Sequence, residues 1–403
     1  MKIIITGATG HVGNALVEKL SSLEHKLILV GRDVERLNKF FPNIEACTYK
    51  EIKKIGKGAS VLVHLATANN NTKAAKEIFI DANVRLFDYI LKTSLKLKIK
   101  KVITLNSLHI FSDKQNNYVY SKKKAHEILQ KFDSFQKITI FCPAIYSKTF
   151  KGNLKILNIF PNKLKKVLFY FLSAFRPVVN IKTVISHIIF NINKKSSLSK
   201  NIYLADNKEK NLVYIFFRKS VDIIFAIFVI VFLWWLLLFI YFAIKIDTDG
   251  PVIFKQKRIG KNEKLFLLYK FRTMQVGTRN TATHEISQQS LTGIGYWLRK
   301  VKLDELPQVL NILRNDLSLI GPRPSLPTQK KLIKERQILQ IYSIKPGITG
   351  YSQINNIDMS DPKKLAEYDN IYLAMRSVFF DIRILIKTLL GAGQGDKVMS
   401  SYK

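Results

Sequence analysis

The most reactive stretch of the chain is Lys302-Leu-Asp304-Glu305-Leu-Pro307-Gln308, where two adjacent carboxylates open a helical pattern. Asp304 suits a helix N-cap, Glu305 its first turn, and Pro307 is tolerated near the start. A helix start also attracts phosphate, so a carboxylate there can attack phosphorus once a divalent cation masks the substrate's charge. Cations suited to phosphate contacts stand in Lys270-Phe-Arg272 and in Gly321-Pro-Arg323-Pro.

A second constellation lies in the first half. After the strand pattern KIIIT come Gly7, Gly10 and Gly13, then the helical pattern NALVEKLSSL. Glycines placed between a first strand and a helix let the backbone approach a pyrophosphate, which the helix N-terminus then attracts. The second strand pattern ends Val30-Gly31-Arg32. A basic residue there leans toward a 2′-phosphate and hence NADP, although Asp33 follows directly. Farther on stand Ser107, in TLNSLHIF, and Tyr120 with Lys124 four residues later. Tyr and Lys at that spacing share a helix face, where the ammonium lowers the phenol's pKa. The phenol can then exchange a proton with a carbonyl or alcohol while hydride moves to or from nicotinamide, and Ser107 can bind the same oxygen.

These residues need two different frameworks. Over residues 1–205 the runs KIIIT, KLILVG, SVLVHLAT, KVITLNS and KITIFCP alternate with amphipathic stretches, which predicts an α/β fold, a Rossmann-like parallel sheet flanked by helices. Residues 206–217 read as a linker, polar at DNKEKN. Residues 218–246 contain an apolar run, and residues 247–403 read as a small, mostly helical catalytic domain marked by the turns DTDGP, GPRP and KPGITG. No internal repeat is evident.

Residues 1–205 resemble the extended short-chain dehydrogenase/reductases, particularly sugar-nucleotide epimerases and 4-keto-reductases. GATGHVG, VLVHLAT, the Ser107 strand, YSKKKAHE and KITIFCPAIYSKTFKGN match in order. The resemblance implies an NADP or NAD cofactor and a UDP-sugar substrate. Two positions depart from it: only twelve residues separate Ser107 from Tyr120, and Cys142 replaces the usual arginine before the proline.

Residues 212–403 resemble the monotopic phosphoglycosyl transferases, bacterial sugar transferases that load undecaprenyl phosphate. The matching motifs are Arg218-Lys-x-x-Asp222, DGPVIFKQKRIG, KFRTM, LRKVKLDELPQVLNIL, LSLIGPRP, KPGITGYSQI and the terminal GAGQGDKV. This implies a ping-pong reaction: Asp304 attacks the sugar-bearing phosphorus of a UDP-sugar, UMP leaves, and undecaprenyl phosphate takes the phosphosugar. Glu305 assists by acid/base work or, with Asp304, by holding Mg²⁺; Lys270, Arg272 and Arg323 hold phosphates. Gly293 and Trp234-Trp235 depart from the pattern, the latter replacing the Ser-Pro that breaks the family's membrane helix. The two resemblances together imply a bifunctional enzyme that makes and then loads a deoxy-amino-sugar, or a transferase whose first domain only binds nucleotide or a partner. A homodimer is compatible with either.

The apolar run IIFAIFVIVFLWWLLLFIYFAI covers residues 223–244, or 22 uncharged positions. As one helix it would reach about 33 Å, enough to span a bilayer core. Four basic residues on each side give no inside–outside bias. A spanning helix would also strand one domain from cytoplasmic nucleotide substrates. The expectation is therefore a re-entrant helix bent near Trp234-Trp235, with both domains on the cytoplasmic face of the bacterial inner membrane. The formal charge of +36 over 403 residues favours polyanions such as anionic lipid headgroups and nucleotide diphosphates. No nucleic-acid partner is expected, since no recognition motif accompanies the charge. Cys47 and Cys142 are too few for a disulfide framework or a zinc site, which fits a reducing compartment, and the N-terminus enters a strand pattern without a cleavable signal.

Overall fold

The computed structural model describes residues 1–68, 75–113, 115–150, 152–196, 198–278 and 290–393. The last residues of the GAGQGDKV motif lie outside them. The chain divides into two compact units: residues 1–169 with 177–206, and residues 170–176 with 207–403.

The first unit is built on nine strands: β1 (Lys2–Thr6), β2 (Lys26–Gly31), β3 (Glu45–Thr48), β4 (Val61–His64), β5 (Lys101–Ser107), β6 (Gln136–Cys142), β7 (Ala144–Tyr146), β8 (Val178–Asn180) and β9 (Lys200–Tyr203). Seven form one sheet in the order β3-β2-β1-β4-β5-β6-β9, every pair parallel, while β7 and β8 pair apart from it. Parallel strands covered on both faces must be apolar throughout, and β1 shows why the sequence runs Ile-Ile-Ile. Ile3 and Ile5 enter one core with Leu16, Val17 and Leu20 of helix His11–Ser21 and with Val184 and Ile188. Ile4 enters the other core with Phe87, Ile90 and Leu129. The strand order reverses between β1 and β4, and the β1 turn opens beside it. That is where doubly wound sheets bind their ligands.

The second unit begins with two apolar helices, Leu212–Phe232 and Trp234–Asp247, bent by 66° at Leu233. No single helix among the described residues is long and apolar enough to cross a membrane. The bend stands without proline. Trp235 Nε1 donates to Phe232 O at 2.9 Å, which satisfies a carbonyl that the break frees from its helical partner. At the base of the pair the Arg218/Asp222 motif has a structural task. Arg218 donates to Ser318 Oγ and Ile320 O, and Asp222 accepts from Ser318 Oγ and Leu319 N, so the first helix is fastened to strand β12 (Ser318–Ile320). An antiparallel hairpin of β10 (Ile253–Ile259) and β11 (Leu265–Phe271) follows the pair, and β12 pairs in parallel with β13 (Gly347–Thr349). Helices Lys330–Ile338, Pro362–Met375 and Val378–Leu389 complete the unit.

Candidate active sites

In the first unit, Gly7 follows β1 at φ +74°, and a Cβ there would fall 2.5 Å from Ala66 N. A Cβ on Gly13 would fall 2.2 Å from Gly7 O. Gly10 is the N-cap of helix His11–Ser21 and supplies no side-chain cap, so the helix's first N–H groups face the turn uncapped. The cradle therefore exists only because three glycines leave room for it, and it fits a pyrophosphate. Arg32 is exposed at the end of β2, beside Asp33, whose carboxylate is engaged in capping helix Val34–Phe40 through Arg36 N at 2.9 Å.

The sequence reading and the structure part at the tyrosine. Tyr120 is 45% exposed, with the Lys76 ammonium 5.1 Å over its ring, and Lys124 pairs with Glu127 at 2.8 Å. Neither is brought to Ser107. Of the residues two positions earlier, Tyr118 is. Tyr118 hydrogen-bonds Ser107, and Lys122 is buried four residues on in the same helix, Asn117–Gln130. Two residues turn an α-helix by about 200°, so the overlapping pairs 118/122 and 120/124 face opposite ways. The buried positions Val119, Ser121, Lys122, Ala125 and Leu129 mark the inward face, and that periodicity was the available signal.

Burial raises the Tyr118 phenol, while the Ser107 hydrogen bond opposes the shift. Burial alone pushes the Lys122 ammonium down to about 8. Lys122 lines a depression with His64, Thr67, Asn83, Asn106 and His126. His64, buried, shares a hydrogen bond with Thr6 Oγ1 at 2.8 Å and is pushed down to about 3 by burial and then by Lys122. Asn83, which nothing in the sequence singles out, accepts from Ala68 N and Thr67 Oγ1 and donates to Ser121 Oγ at 2.9 Å. It ties the loop after β4 to the Tyr118 helix.

In the second unit Asp304 and Glu305 lie in the 3₁₀ helix Leu303–Gln308, entered through Lys302 at φ +58°. Lys270 reaches from β11 to both carboxylates, 2.6 Å from Glu305 Oε1 and 3.6 Å from Asp304 Oδ2. Arg323 reaches Glu305 Oε1 at 3.2 Å. Burial by itself would raise Glu305, but Lys270 and Arg323 outweigh it and hold the carboxyl well below the carboxylate range. Asp304 moves the other way: burial raises it, with Lys270 opposing and Glu305 adding to the rise. The two adjacent acids are thus driven apart.

Arg272 is not brought to this pair. Its guanidinium donates to Asp249 O, Thr248 O and Thr248 Oγ1 at 2.7–2.8 Å and so holds the turn after the apolar helices. A strand residue next to a turn is drawn to unpaired carbonyls there, a partner that spacing alone does not reveal. Two arginines that the sequence left without a role stand closer. Arg299 opposes, after Lys270, the burial-driven rise of the Asp304 carboxyl, is anchored by Nε on Thr273 Oγ1 at 2.9 Å, and has a buried terminal nitrogen with no partner among the described residues. Arg258 donates to Gln256 Oε1 and Pro324 O and faces Arg323 and Glu305. Behind Arg323, the fully buried Arg336 donates to Arg323 O at 2.8 Å and to Asp369 Oδ2 at 2.7 and 2.9 Å. No group of three or more His, Cys, Asp or Glu side chains able to hold a metal occurs among the described residues. The two carboxylates alone suit a cation that completes its shell with waters and substrate phosphates, as Mg²⁺ does.

A Rossmann-like unit is followed by a unit that carries a buried carboxylate pair gripped by cations, and comparison with known proteins covers both halves. Residues 3–139 match the NAD dependent epimerase/dehydratase family, and residues 213–394 match the bacterial sugar transferases. The uncharacterized sugar transferase EpsL of Bacillus subtilis (strain 168) is 38% identical over 172 residues, covering 43% of this chain and 85% of EpsL. The chain belongs to the bacterial sugar transferase family. The UDP-glucose:undecaprenyl-phosphate glucose-1-phosphate transferase of Xanthomonas campestris pv. campestris is 36% identical over 41% of this chain, which spans 37% of that protein's length. A solved UDP-glucuronic acid 4-epimerase from Bacillus cereus in complex with NAD overlaps 51% of this chain and 78% of its own at 12% identity and a TM-score of 0.42, a likeness too distant to argue from.

Proposed function

We propose that the chain is a bifunctional membrane enzyme that reduces or epimerises a UDP-linked keto-deoxy-amino-sugar and transfers its sugar-1-phosphate to undecaprenyl phosphate. The observation that carries the transfer half is the buried Asp304–Glu305 pair held by Lys270 and Arg323. Asp304 Oδ attacks the sugar-bearing phosphorus, the phosphoanhydride bond breaks, and UMP departs with the electron pair. A phosphate oxygen of undecaprenyl phosphate then attacks the same phosphorus and returns Asp304 as a carboxylate. Lys270, Arg323 and Arg299 are the cations that receive the diphosphate. Asp304 and Glu305 would hold Mg²⁺, which masks phosphate charge.

In the first unit Gly7, Gly10 and Gly13 would hold the cofactor's pyrophosphate, and Arg32 the 2′-phosphate of NADP. The bound nicotinamide supplies or accepts hydride. Tyr118 moves the proton at the sugar's C4 oxygen, Ser107 positions that oxygen, and Lys122 holds the phenol's charge. Support for the bilayer seating comes from the 66° bend, the satisfied Phe232 carbonyl and the exposed apolar side chains along both helices. A hairpin that enters and leaves on one face keeps both units in the cytoplasm at the bacterial inner membrane.

The deciding experiment is intact-protein mass measurement after mixing with a UDP-sugar and no lipid acceptor. A phosphosugar adduct on the wild type, absent from Asp304→Asn, is the expected result, and UMP release without any adduct would sink the covalent step. Single cysteines at positions 207 and 262 should both resist an impermeant reagent in intact cells. Labelling of either one from outside means the helices span.

A further inference from the structure

Between Asp133 and Asp206 the sequence contains no acidic residue and twelve lysines and arginines. Inside this stretch, and outside both family matches, lies the helix Asn162–Phe175, preceded by the 3₁₀ helix Gly152–Ile159. Its sequence, NKLKKVLFYFLSAF, is amphipathic, and while Phe169 packs on Tyr146 and Phe150 and Ala174 is buried, a second row of apolar side chains is left open. Leu164, Val167 and Phe171 form an i, i+3, i+7 stripe exposed at 45, 63 and 47%, and Ile159 and Phe160 continue it at 80 and 38%. At 100° per residue Lys163 lies at the edge of that stripe, with Lys165 and Lys166 farther round. Long ammonium side chains beside an exposed apolar stripe match the boundary between acyl chains and anionic headgroups, where the stems lie along the chains and the charges reach phosphate.

The last turn of the helix is fastened to the start of the apolar helix pair and to helix Val378–Leu389, where Phe175 meets Phe379 at 5.4 Å. Leu212 N donates to Tyr170 Oη at 2.6 Å, Asn211 Nδ2 donates to Ser173 Oγ at 2.9 Å, and the Phe175 ring meets Phe217 at 5.4 Å. These partners are the first residues of the apolar helix pair. The C-terminal turn of this helix, with Phe171 of the stripe, therefore belongs to the same compact unit as the helix pair proposed to enter the bilayer. A protein partner would need acidic groups and a fixed shape, whereas uniform basic charge with a plain apolar stripe answers to a surface.

We propose that helix Asn162–Phe175, with Ile159 and Phe160, is a second membrane contact that lies flat in the headgroup layer of an anionic bilayer. This rests on the bilayer seating of the 212–247 pair, and the test separates the two. The full-length protein is reconstituted into phosphatidylcholine vesicles with and without about 30% phosphatidylglycerol. It carries one added cysteine at position 167, 166 or 239, labelled with an environment-sensitive fluorophore; Cys47 and Cys142 are buried and stay in place. Quenching is read with nitroxide on the lipid chain and with iodide in the water. The expected result is lipid quenching at 167, iodide quenching roughly threefold or more weaker at 167 than at 166, and a stronger lipid signal with phosphatidylglycerol. Iodide quenching equal at 166 and 167 overturns the proposal. So does a label at 167 reached by neither quencher, which means protein covers the stripe. Equal lipid quenching in neutral vesicles overturns the anionic-headgroup assignment. If 239 is quenched from the lipid but 167 is not, only this inference falls; if 239 itself is quenched by iodide, the bilayer seating falls.

Discussion

The two candidate sites bury charge in opposite company. In the first unit Lys122 is buried with no carboxylate opposing, so desolvation alone pushes it down to about 8 and helps drive His64 to about 3. In the second unit buried carboxylates face Lys270, Arg323 and Arg299, so Glu305 stays charged although burial resists it. The first arrangement tunes groups toward neutrality, which suits proton exchange with an uncharged sugar oxygen. The second keeps an excess of fixed cations, which suits a substrate arriving with two phosphates.

The comparison breaks most sharply at Asp304. Asp304→Asn should lower UMP release by roughly 10⁴-fold or more, because an amide is no nucleophile, while Glu305→Gln should cost less. Near-normal UMP release from Asp304→Asn would mean that the cationic cage, not the carboxylate, does the chemistry.

Acid titration should separate the units next. The folded state refuses a proton on His64 from its ordinary 6.5 down to about 3, while the unfolded chain accepts it. The unfolded state then binds more protons, so stability falls as pH falls through that window, by roughly 4–5 kcal/mol when complete. Glu305 is depressed from 4.5, so its contribution is present above 4.5 and is lost only below it. Thermal melts of the wild type and His64→Asn should therefore converge as the pH drops from 7.5 to 5. Parallel curves would show that His64 already titrates normally.

Within the first site the register can be tested directly. Tyr118→Phe should lower NADPH oxidation with a UDP-4-keto-sugar by about 10²-fold or more, and Tyr120→Phe by no more than about threefold. The reverse order would restore the outward tyrosine. The smallest effect expected is at Arg32: Arg32→Ala should weaken NADPH binding by about tenfold and leave NADH nearly unchanged, as read by titration calorimetry. Equal binding of both cofactors by the wild type would remove the 2′-phosphate contact.

How much of this is legible in the sequence depends on how local the cause is. The β1–Gly7–helix turn and the parallel sheet are readable because strand patterns, glycines and a helix start lie within one short stretch. The sequence alone does not separate Tyr118 from Tyr120, because KKK provides two overlapping Tyr-x-x-x-Lys pairs and only the burial of Val119, Ala125 and Leu129 distinguishes their faces. Arg272 misleads for a nonlocal reason, since its partners are carbonyls of Thr248 and Asp249 that a turn leaves unpaired. The carboxylate pair is readable as two adjacent acids. The cations that grip it come from β11 and from Arg323, and their relative weight appears only when the chain is folded.

Arg336 couples the site to the order in which the chain is made. Its guanidinium joins Arg323 O, in the loop that reaches Glu305, to Asp369 in a helix synthesised later. A nascent chain that has emerged only as far as helix Lys330–Ile338 already carries Asp304, Glu305, Lys270 and Arg323, but nothing yet neutralises Arg336 as it enters the interior. Burying that guanidinium without its carboxylate is strongly unfavourable, so the Arg323 loop is expected to close only once the Pro362–Met375 helix docks. Under the proposed function, the apolar helix pair would then reach the bilayer before Asp304 is framed. On the same proposal, an unfinished chain would not yet load a lipid carrier with sugar.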